Sequence, residues 1–321
     1  MNQFPSVGIV GTGLAAPPRL VTNDDLATFV ETSDEWITSR TGIRERHFLS
    51  DGLDTSDIAA AAGREALAAS GVAPDDIDVV IVATITEDMA FPNAACMVQH
   101  KLGLPTRAAF DLGAACSGFV YGLTMSASLI QTGRARHILL IGADCLSKYL
   151  DFTDRGTCVL FGDGAGAAVV AAVPEGFGLL GANLGCDGSG GVLLKYSAEG
   201  KPDGRPYLQM AGREVYKFAV RIQGEACEAA LAEAGLTADQ IDWLVPHQAN
   251  IRIIEAAAER LAVPSEKVVV NVDRYGNTSA ASIPIALAEA NARAQFKRGD
   301  NILLVGFGAG LTWGSAVIRW Y

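Results

Sequence analysis

Three residues stand in contexts that could carry chemistry together: Cys116, His247 and Asn277. Cys116 lies in Asp111-Leu-Gly-Ala-Ala-Cys-Ser-Gly118, between an apolar segment at 107–112 and a longer apolar run at 119–130 closed by Gly133. The first reads as a short buried strand and the second as a helix. Cys116 therefore occupies a sharp strand-to-helix turn, with small residues on both sides leaving its sulfur approachable. A thiol at a helix N-terminus feels the positive end of the dipole, which favours the thiolate. An arbitrary cysteine is more often inert packing; the turn sets this one apart.

His247 follows the apolar strand Ile241–Pro246 and precedes Gln248-Ala-Asn250. Of the other histidines, His100 and His137 read as surface residues, and His47 follows an arginine cluster without an evident partner. Asn277, in Tyr275-Gly-Asn-Thr-Ser279, would by itself read as a turn residue. The combination suggests more. A cysteine can be acylated by a thioester, because attacking and leaving thiols are alike in energy. A neutral histidine and an asparagine both donate hydrogen bonds, and aimed at one oxygen they stabilise an enolate. A cysteine hydrolase would need a water and a base with its orienting partner instead.

The elements that position these residues are duplicated. Gly71-Val-Ala-Pro-Asp-Asp-Ile-Asp78 aligns with Gly235-Leu-Thr-Ala-Asp-Gln-Ile-Asp242, and Ile138-Leu-Leu-Ile-Gly142 with Ile302-Leu-Leu-Val-Gly306, both at a shift of 164 residues. The same shift carries Cys116 onto Ala280 and Ala83, at a strand end, onto His247. This implies two similar α/β halves, 1–174 and 175–321, with chemistry at the carboxyl ends of their strands. Helices are expected at 55–70 and from Phe91-Pro-Asn-Ala94, and strands at 78–84, 137–142 and 161–170. Helix starts are expected at Asn23-Asp-Asp-Leu26 and Thr32-Ser-Asp-Glu35-Trp36, the second with capping-box spacing. Residues 187–207, rich in Gly, Pro and Lys, form the longest apparent loop.

Composition narrows the function. The 321 residues, half of them hydrophobic, suffice for about two packed domains. A net charge of −11 argues against nucleic acid and anionic membrane as partners. No secretory segment opens the chain and no apolar run is long enough to span a membrane. None of the six cysteines forms a Cys-x-x-Cys pair, so neither a zinc site nor a redox dithiol is expected, and the thiols suit a cytoplasmic enzyme. Gly11-x-Gly13-x-x-Ala16 mimics a dinucleotide fingerprint, but Pro17 and Pro18 stand where its helix would run.

Longer motifs accompany the three residues: Asp34-Glu-Trp36-Ile, Arg40-Thr-Gly-Ile-Arg-Glu-Arg46, Ala90-Phe91-Pro, Thr153-Asp-Arg155-Gly, Phe161-Gly-Asp-Gly-Ala-Gly166, His247-Gln-Ala-Asn250-Ile-Arg252, Gly276-Asn277-Thr-Ser-Ala-Ala-Ser282 and Thr312-Trp-Gly-Ser315. With these, nearly the whole chain resembles the β-ketoacyl-acyl-carrier-protein synthase III family, initiating condensing enzymes of the thiolase-like superfamily. The resemblance implies a five-layered α-β-α-β-α fold, a homodimer, and no permanently bound cofactor. It implies that an acyl-CoA, acetyl-CoA first, acylates Cys116. Malonyl-acyl-carrier protein then loses carbon dioxide, and its carbanion, held by His247 and Asn277, attacks the acyl-cysteine. By position, Trp36 and Arg155 would sandwich the CoA adenine, Arg40 would meet its phosphates, and Gly212 would line the pantetheine channel. Phe91 would reach the acyl pocket across the dimer and Phe307 would shield the catalytic groups.

Two departures bear on this. The family often has Phe-Gly-Gly-Gly where this chain has Phe307-Gly-Ala309-Gly; the Ala309 N–H is expected to join that of Cys116 in the acyl oxyanion hole, provided its φ is negative. The helix after Asn250 often carries paired basic residues for the acidic carrier protein; here Arg252 and Arg260, with Lys217, are the basic candidates. A thiolase would need a second cysteine in the loop that holds Phe307, and a type III polyketide synthase matches the flanking motifs less well. The alternatives carried forward are a paralogous condensing enzyme or acyltransferase of secondary metabolism, and a carrier-protein-binding subunit without turnover.

Overall fold

The computed structural model describes residues 4–105 and 108–321; Arg107, placed above in a strand, lies outside them. In the first half, β1 (Val7–Ala15), the β2 (Arg19–Thr22) and β3 (Glu45–Phe48) hairpin, and the short α1 (Asn23–Leu26) and α2 (Asp34–Thr41) lead into α3 (Thr55–Ser70). Then come β4 (Val79–Ala83), α4 (Ala94–Lys101), β5 (Ala108–Leu112), α5 (Gly118–Gln131), β6 (His137–Cys145) and β7 (Asp163–Ala172). Their sheet has the order β1-β7-β6-β4-β5, with β6, β4 and β5 parallel and the other pairs antiparallel. β4 reads Val-Val-Ile-Val-Ala and is buried throughout, as a parallel strand covered on both faces should be.

The second half runs β8 (Gly178–Cys186), β9 (Leu194–Ser197), β10 (Tyr207–Met210), α6 (Gly212–Ala234), β11 (Trp243–Pro246) and α7 (Ile251–Arg260). It continues through α8 (Val272–Tyr275), α9 (Ser282–Ala292), β12 (Asn301–Gly308) and β13 (Thr312–Arg319). Its sheet order, β8-β13-β12-β11, repeats the first. A single parallel bridge, Leu244 to Val268, marks the place that β5 holds in the other sheet. α3 and α6 end at Gly71 and Gly235, both left-handed C-caps (φ 69° and 67°), which is the 164-residue shift in three dimensions.

α5 and α9 lie between the sheets and are apolar nearly all round, Ile283, Ile285, Ala286 and Leu287 being buried on every side of α9. α3 and α4 cover the outer face of one sheet, α6 and α7 that of the other, giving five layers. Two glycines fix how closely the layers approach. A Cβ at Gly142 would sit 2.2 Å from the Ala280 carbonyl oxygen, and one at its counterpart Gly306 would sit 3.0 Å from that of Cys116. Each half thus receives the other's turn against a bare strand backbone.

Several expectations need correcting. Gly11 and Gly13 belong to uninterrupted β1, where a Cβ would strike the backbone of α3 within 2.6 Å; the fingerprint is a helix-packing device. The capping box belongs to α1, where Thr22 and Asp25 bond reciprocally, while α2 is capped by Ser33 alone. The apparent loop at 187–207 contains a 3-10 turn (Gly188–Leu193) and β9, which pairs with β10. Its alternating Leu194, Tyr196 and Leu208 face inward or stack, so burial stabilises strands that composition hides.

Candidate active site

Cys116 sits in one turn of 3-10 helix, Ala115–Ser117, wedged between β5 and α5. Ala115 has φ 45°, the left-handed strain that such a turn demands of a residue with a Cβ. The Thr312 hydroxyl, 3.0 Å from the carbonyls of both Ala114 and Ala309, ties the turn to the loop after β12. Gly308 passes so close that a Cβ there would lie 2.6 Å from the Cys116 nitrogen. Ala309 is not among the described residues of positive φ, so the alanine is compatible with its expected place.

His247 leaves the carboxyl end of β11, its N–H donating to Val305 O at 2.7 Å. Its Nδ1 lies 2.6 Å from the Ser282 Oγ. A serine hydroxyl donating there places the ring proton on Nε2, the tautomer that points a donor away from Ser282. Burial drops the His247 pKa to about 3, so the ring is neutral and carries a single N–H donor. The Phe307 ring meets the imidazole edge-on at 5.3 Å between centroids. Gln248, buried, donates to Pro246 O and Val269 O and accepts from the Asn271 and Val272 N–H groups, locking the strand end to α8.

Asn277 follows α8. Its backbone bridges to the segment before β7, donating to Leu160 O and accepting from the Gly162 N–H. Its Oδ1 accepts from the Ser279 N–H at 2.9 Å, which leaves the amide NH2 as the free end. Cys116, His247, Asn277 and Phe307 all line one cavity of about 110 Å³, with Gly212 at its wall. Cys116 also lines a second, apolar cavity of about 240 Å³ walled by Leu146, Tyr149, Phe161, Leu194, Tyr196 and Leu208. The sulfur stands where the two meet. One side offers an apolar chamber for a chain carried on sulfur; the other offers two neutral donors.

The thiolate expectation does not hold. Cys116 is buried, and burial, reinforced by the nearby Asp144 charge, pushes its thiol up to about 12 against the effect of its hydrogen bond with Ser279. The α5 N-terminus is visible in the sequence, but Asp144 comes from β6 and reaches the site only through folding.

The outlying candidates divide. The Arg155 and Arg40 guanidinium carbons each lie 4.8 Å from the Trp36 ring centroid. A purine between Trp36 and Arg155 needs roughly 7 Å, two contact layers. The slot is therefore closed, and Arg40 lies on the indole instead of standing apart for phosphates. Arg252 is exposed, its guanidinium donating to Ser39 O at the end of α2. Arg260 is a different matter: it is clamped by Glu228 at 3.1 Å and the Arg221 carbonyl, over Gly224. Its charge is already matched, whereas Arg252 and Lys217 are exposed without a carboxylate partner among the described ion pairs. Phe91, 85% exposed, lines neither cavity of this chain. His47 does have partners, Pro17 O at 2.7 Å from Nδ1 and the Tyr275 ring.

Sequence reasoning missed Ser279, Ser282, Gln248 and Asp144, and the β9–β10 wall of the acyl-sized chamber. Ser279 carried one signal: the shift that relates the halves pairs it with Ala115 beside Cys116.

Comparison with known proteins follows this geometry. A family described as 3-oxoacyl-[acyl-carrier-protein] synthase III matches residues 110–188, and its C-terminal counterpart matches residues 231–320. The chain is 52% identical to the β-ketoacyl-[acyl-carrier-protein] synthase III of Desulfitobacterium hafniense, covering 98% of each. It is 51% identical to synthase III 1 of Bacillus cereus, over 98% of this chain and 99% of that one. Among solved structures, the 3-oxoacyl-[acyl-carrier-protein] synthase III of Aquifex aeolicus superposes with a TM-score of 0.94 at 46% identity, covering 98% of this chain and all of that one. The priming β-ketosynthase of the R1128 polyketide pathway superposes at 0.93 with 36% identity, covering 99% and 97%.

Proposed function

The chain belongs to the 3-oxoacyl-[acyl-carrier-protein] synthase III family, and from that premise we propose how its own residues divide the reaction. It is a condensing acyltransferase that joins an acyl-CoA primer to malonyl-acyl-carrier protein with loss of carbon dioxide, opening fatty acid synthesis. The observation that carries the division is the meeting of Cys116, His247 and Asn277 on one cavity beside an apolar chamber.

Cys116 accepts the acyl group, whose chain enters the apolar chamber while its carbonyl oxygen receives the N–H groups of Cys116 and Ala309. The malonyl thioester then occupies the smaller cavity. His247 Nε2 and the Asn277 amide donate to its carbonyl oxygen, so that the electrons released with carbon dioxide collect as an enolate. That carbon attacks the acyl-cysteine, and Phe307 shields the step from water. Acetyl-CoA, the expected primer, leaves most of the 240 Å³ chamber empty, so longer or branched primers fit as well. Each further buried methylene adds about 0.8 kcal/mol. Enzyme given labelled acetyl-CoA and malonyl-acyl-carrier protein should release carbon dioxide and yield acetoacetyl-carrier protein. Transfer of acetyl to the carrier without carbon dioxide would favour the acyltransferase alternative.

Trp36 and Arg155 bracket the adenine once Arg155, exposed and held by one bond to Glu31 O, swings from the indole. Arg40 then turns to the phosphates, and Gly212 leaves room for the pantetheine arm. Stacking and cation–π attraction are worth about 0.5–2 kcal/mol. Trp36→Ala should accordingly raise KM for acyl-CoA by roughly 3- to 30-fold with kcat little changed. Steady-state kinetics decide it, and a loss confined to kcat would remove Trp36 from the CoA site.

The acidic carrier protein docks on Arg252 and Lys217. The two halves, 1–174 and 175–321, act as one unit, since each supplies part of the site. A homodimer is supported by β5, an edge strand that ends its sheet, and by the exposed Phe91 and Met89 before α4. In that dimer Phe91 reaches the partner's acyl chamber. A cytoplasmic setting is supported by six free thiols and a CoA substrate. No helix among the described residues is long and apolar enough to cross a membrane.

A further inference from the structure

When Cys116 is acylated its thiol proton must go somewhere, and when the sulfur is expelled a proton must return. The hydrogen bond described for Sγ runs to the Ser279 Oγ, at 3.3 Å. Ser279 is itself strained, at φ 51°, and buried. Behind it lies Asp144 of β6, with no exposed surface. Asp144 Oδ1 accepts from the Ile85 N–H at 2.9 Å and from the Thr84 and Thr86 hydroxyls, each at 3.1 Å. Its Oδ2 accepts from the Ala280 N–H at 3.1 Å, and the hydroxyl of the preceding residue, Ser279, acts on this carboxyl against the effect of burial. Among the described residues no cation pairs with Asp144. A carboxylate taken wholly out of water and given only neutral donors is poised to accept a proton. The second half has nothing equivalent: the shift of 164 residues carries Asp144 onto Gly308.

We propose that Ser279 and Asp144 form a proton relay for Cys116. As Sγ attacks the thioester carbonyl, its proton passes to the Ser279 Oγ and the serine's own proton passes to Asp144. The bond formed is Sγ to the acyl carbon; the bond broken is acyl carbon to CoA sulfur. CoA leaves as thiolate and takes its proton from water. The relayed proton stays on Asp144 while the acyl group is on the enzyme. When the enolate attacks and the Sγ–acyl bond breaks, the cysteine thiolate recovers that proton through Ser279. Over the cycle one proton is taken up, the one on the CoA thiol, as loss of carbon dioxide from a malonyl carboxylate requires. Burial raises the proton affinity of Asp144, which suits it to hold the proton between the two half-reactions. Ser279 touches the reacting sulfur and is the catalytic member; Asp144 acts through it.

The proposal rests on Cys116 being the acylated nucleophile. Ser279→Ala removes only the hydroxyl, and the twin position Ala115 shows that alanine takes this backbone conformation. Single-turnover acylation of the full-length enzyme by labelled acetyl-CoA should slow on the order of 100-fold. Carbon dioxide release from malonyl-carrier protein, measured after the variant has been driven to full acylation, should stay near wild type. The solvent deuterium isotope effect on acylation should change with it. Asp144→Asn should slow acylation in the same way; if it does not fold, Ser279→Ala decides alone. Wild-type acylation in Ser279→Ala, or equal slowing of acylation and of carbon dioxide release, overturns the relay. Absence of any adduct on Cys116 in the wild-type enzyme would instead overturn the reading of the nucleophile.

Discussion

Cys116→Ala should abolish covalent acylation and lower condensation by at least about 10³-fold, the scale on which removing a covalent nucleophile acts. The expectation follows from where the six free thiols stand. Cys145, Cys158 and Cys227 are wholly buried, away from the chamber walls. Cys96 and Cys186 are exposed and line neither of the two cavities. Only Cys116 lines both cavities, so only there can a thioester lay its chain on one side and its CoA arm on the other. Intact-mass measurement after incubation with acyl-CoA should show one adduct on the wild-type chain and none on the variant. Peptide mapping should place that adduct on the segment containing Cys116. An adduct that survives the substitution would reassign the nucleophile.

The elements around that cysteine were readable because their signals are local or repeated. The strand-to-helix turn shows as an apolar run, small residues and a second apolar run. The shift from Gly71 to Gly235 predicts two similar halves, and their sheets share one strand order. His247 was legible through its counterpart Ala83, and both close an apolar strand. What stayed hidden depends on distant chain. The charge state of Cys116 is set by burial and by Asp144, neither of which neighbours it in sequence, so the helix terminus alone misled. Arg260 looked like a free docking cation because its partner Glu228 sits on another helix. The β9–β10 wall was lost among Gly, Pro and Lys, since strands this short are held by pairing and by the Tyr149–Tyr196 stack at 4.0 Å more than by propensity.

The division of labour between the cavities makes its strongest demand on Asn277 and His247. Asn277→Ala should acylate at nearly the wild-type rate yet release carbon dioxide about 10²–10³-fold more slowly, the usual cost of deleting one donor to a developing oxyanion. The amide has no ionisable proton to trade with the thiol, and it lines the smaller cavity and not the apolar chamber. His247→Ala should stall at the same point. The pH behaviour separates a donor from a base. With its pKa dropped to about 3, His247 is neutral through the physiological range, so decarboxylation by acylated enzyme should show no titration near 6.5. Stability should show one. Between about 3 and 6.5 the unfolded chain binds a proton that the folded site refuses, so the stability contributed above 6.5 is lost progressively as pH falls. His247→Gln, which keeps a donor but cannot titrate, should flatten that part of the stability curve and retain more decarboxylation than His247→Ala. Acyl-enzyme and carbon dioxide measured separately for each variant test the scheme. Normal decarboxylation in Asn277→Ala, or a wild-type rate that follows a group titrating near 6.5 and is silent in His247→Gln, would return the imidazole to the role of base.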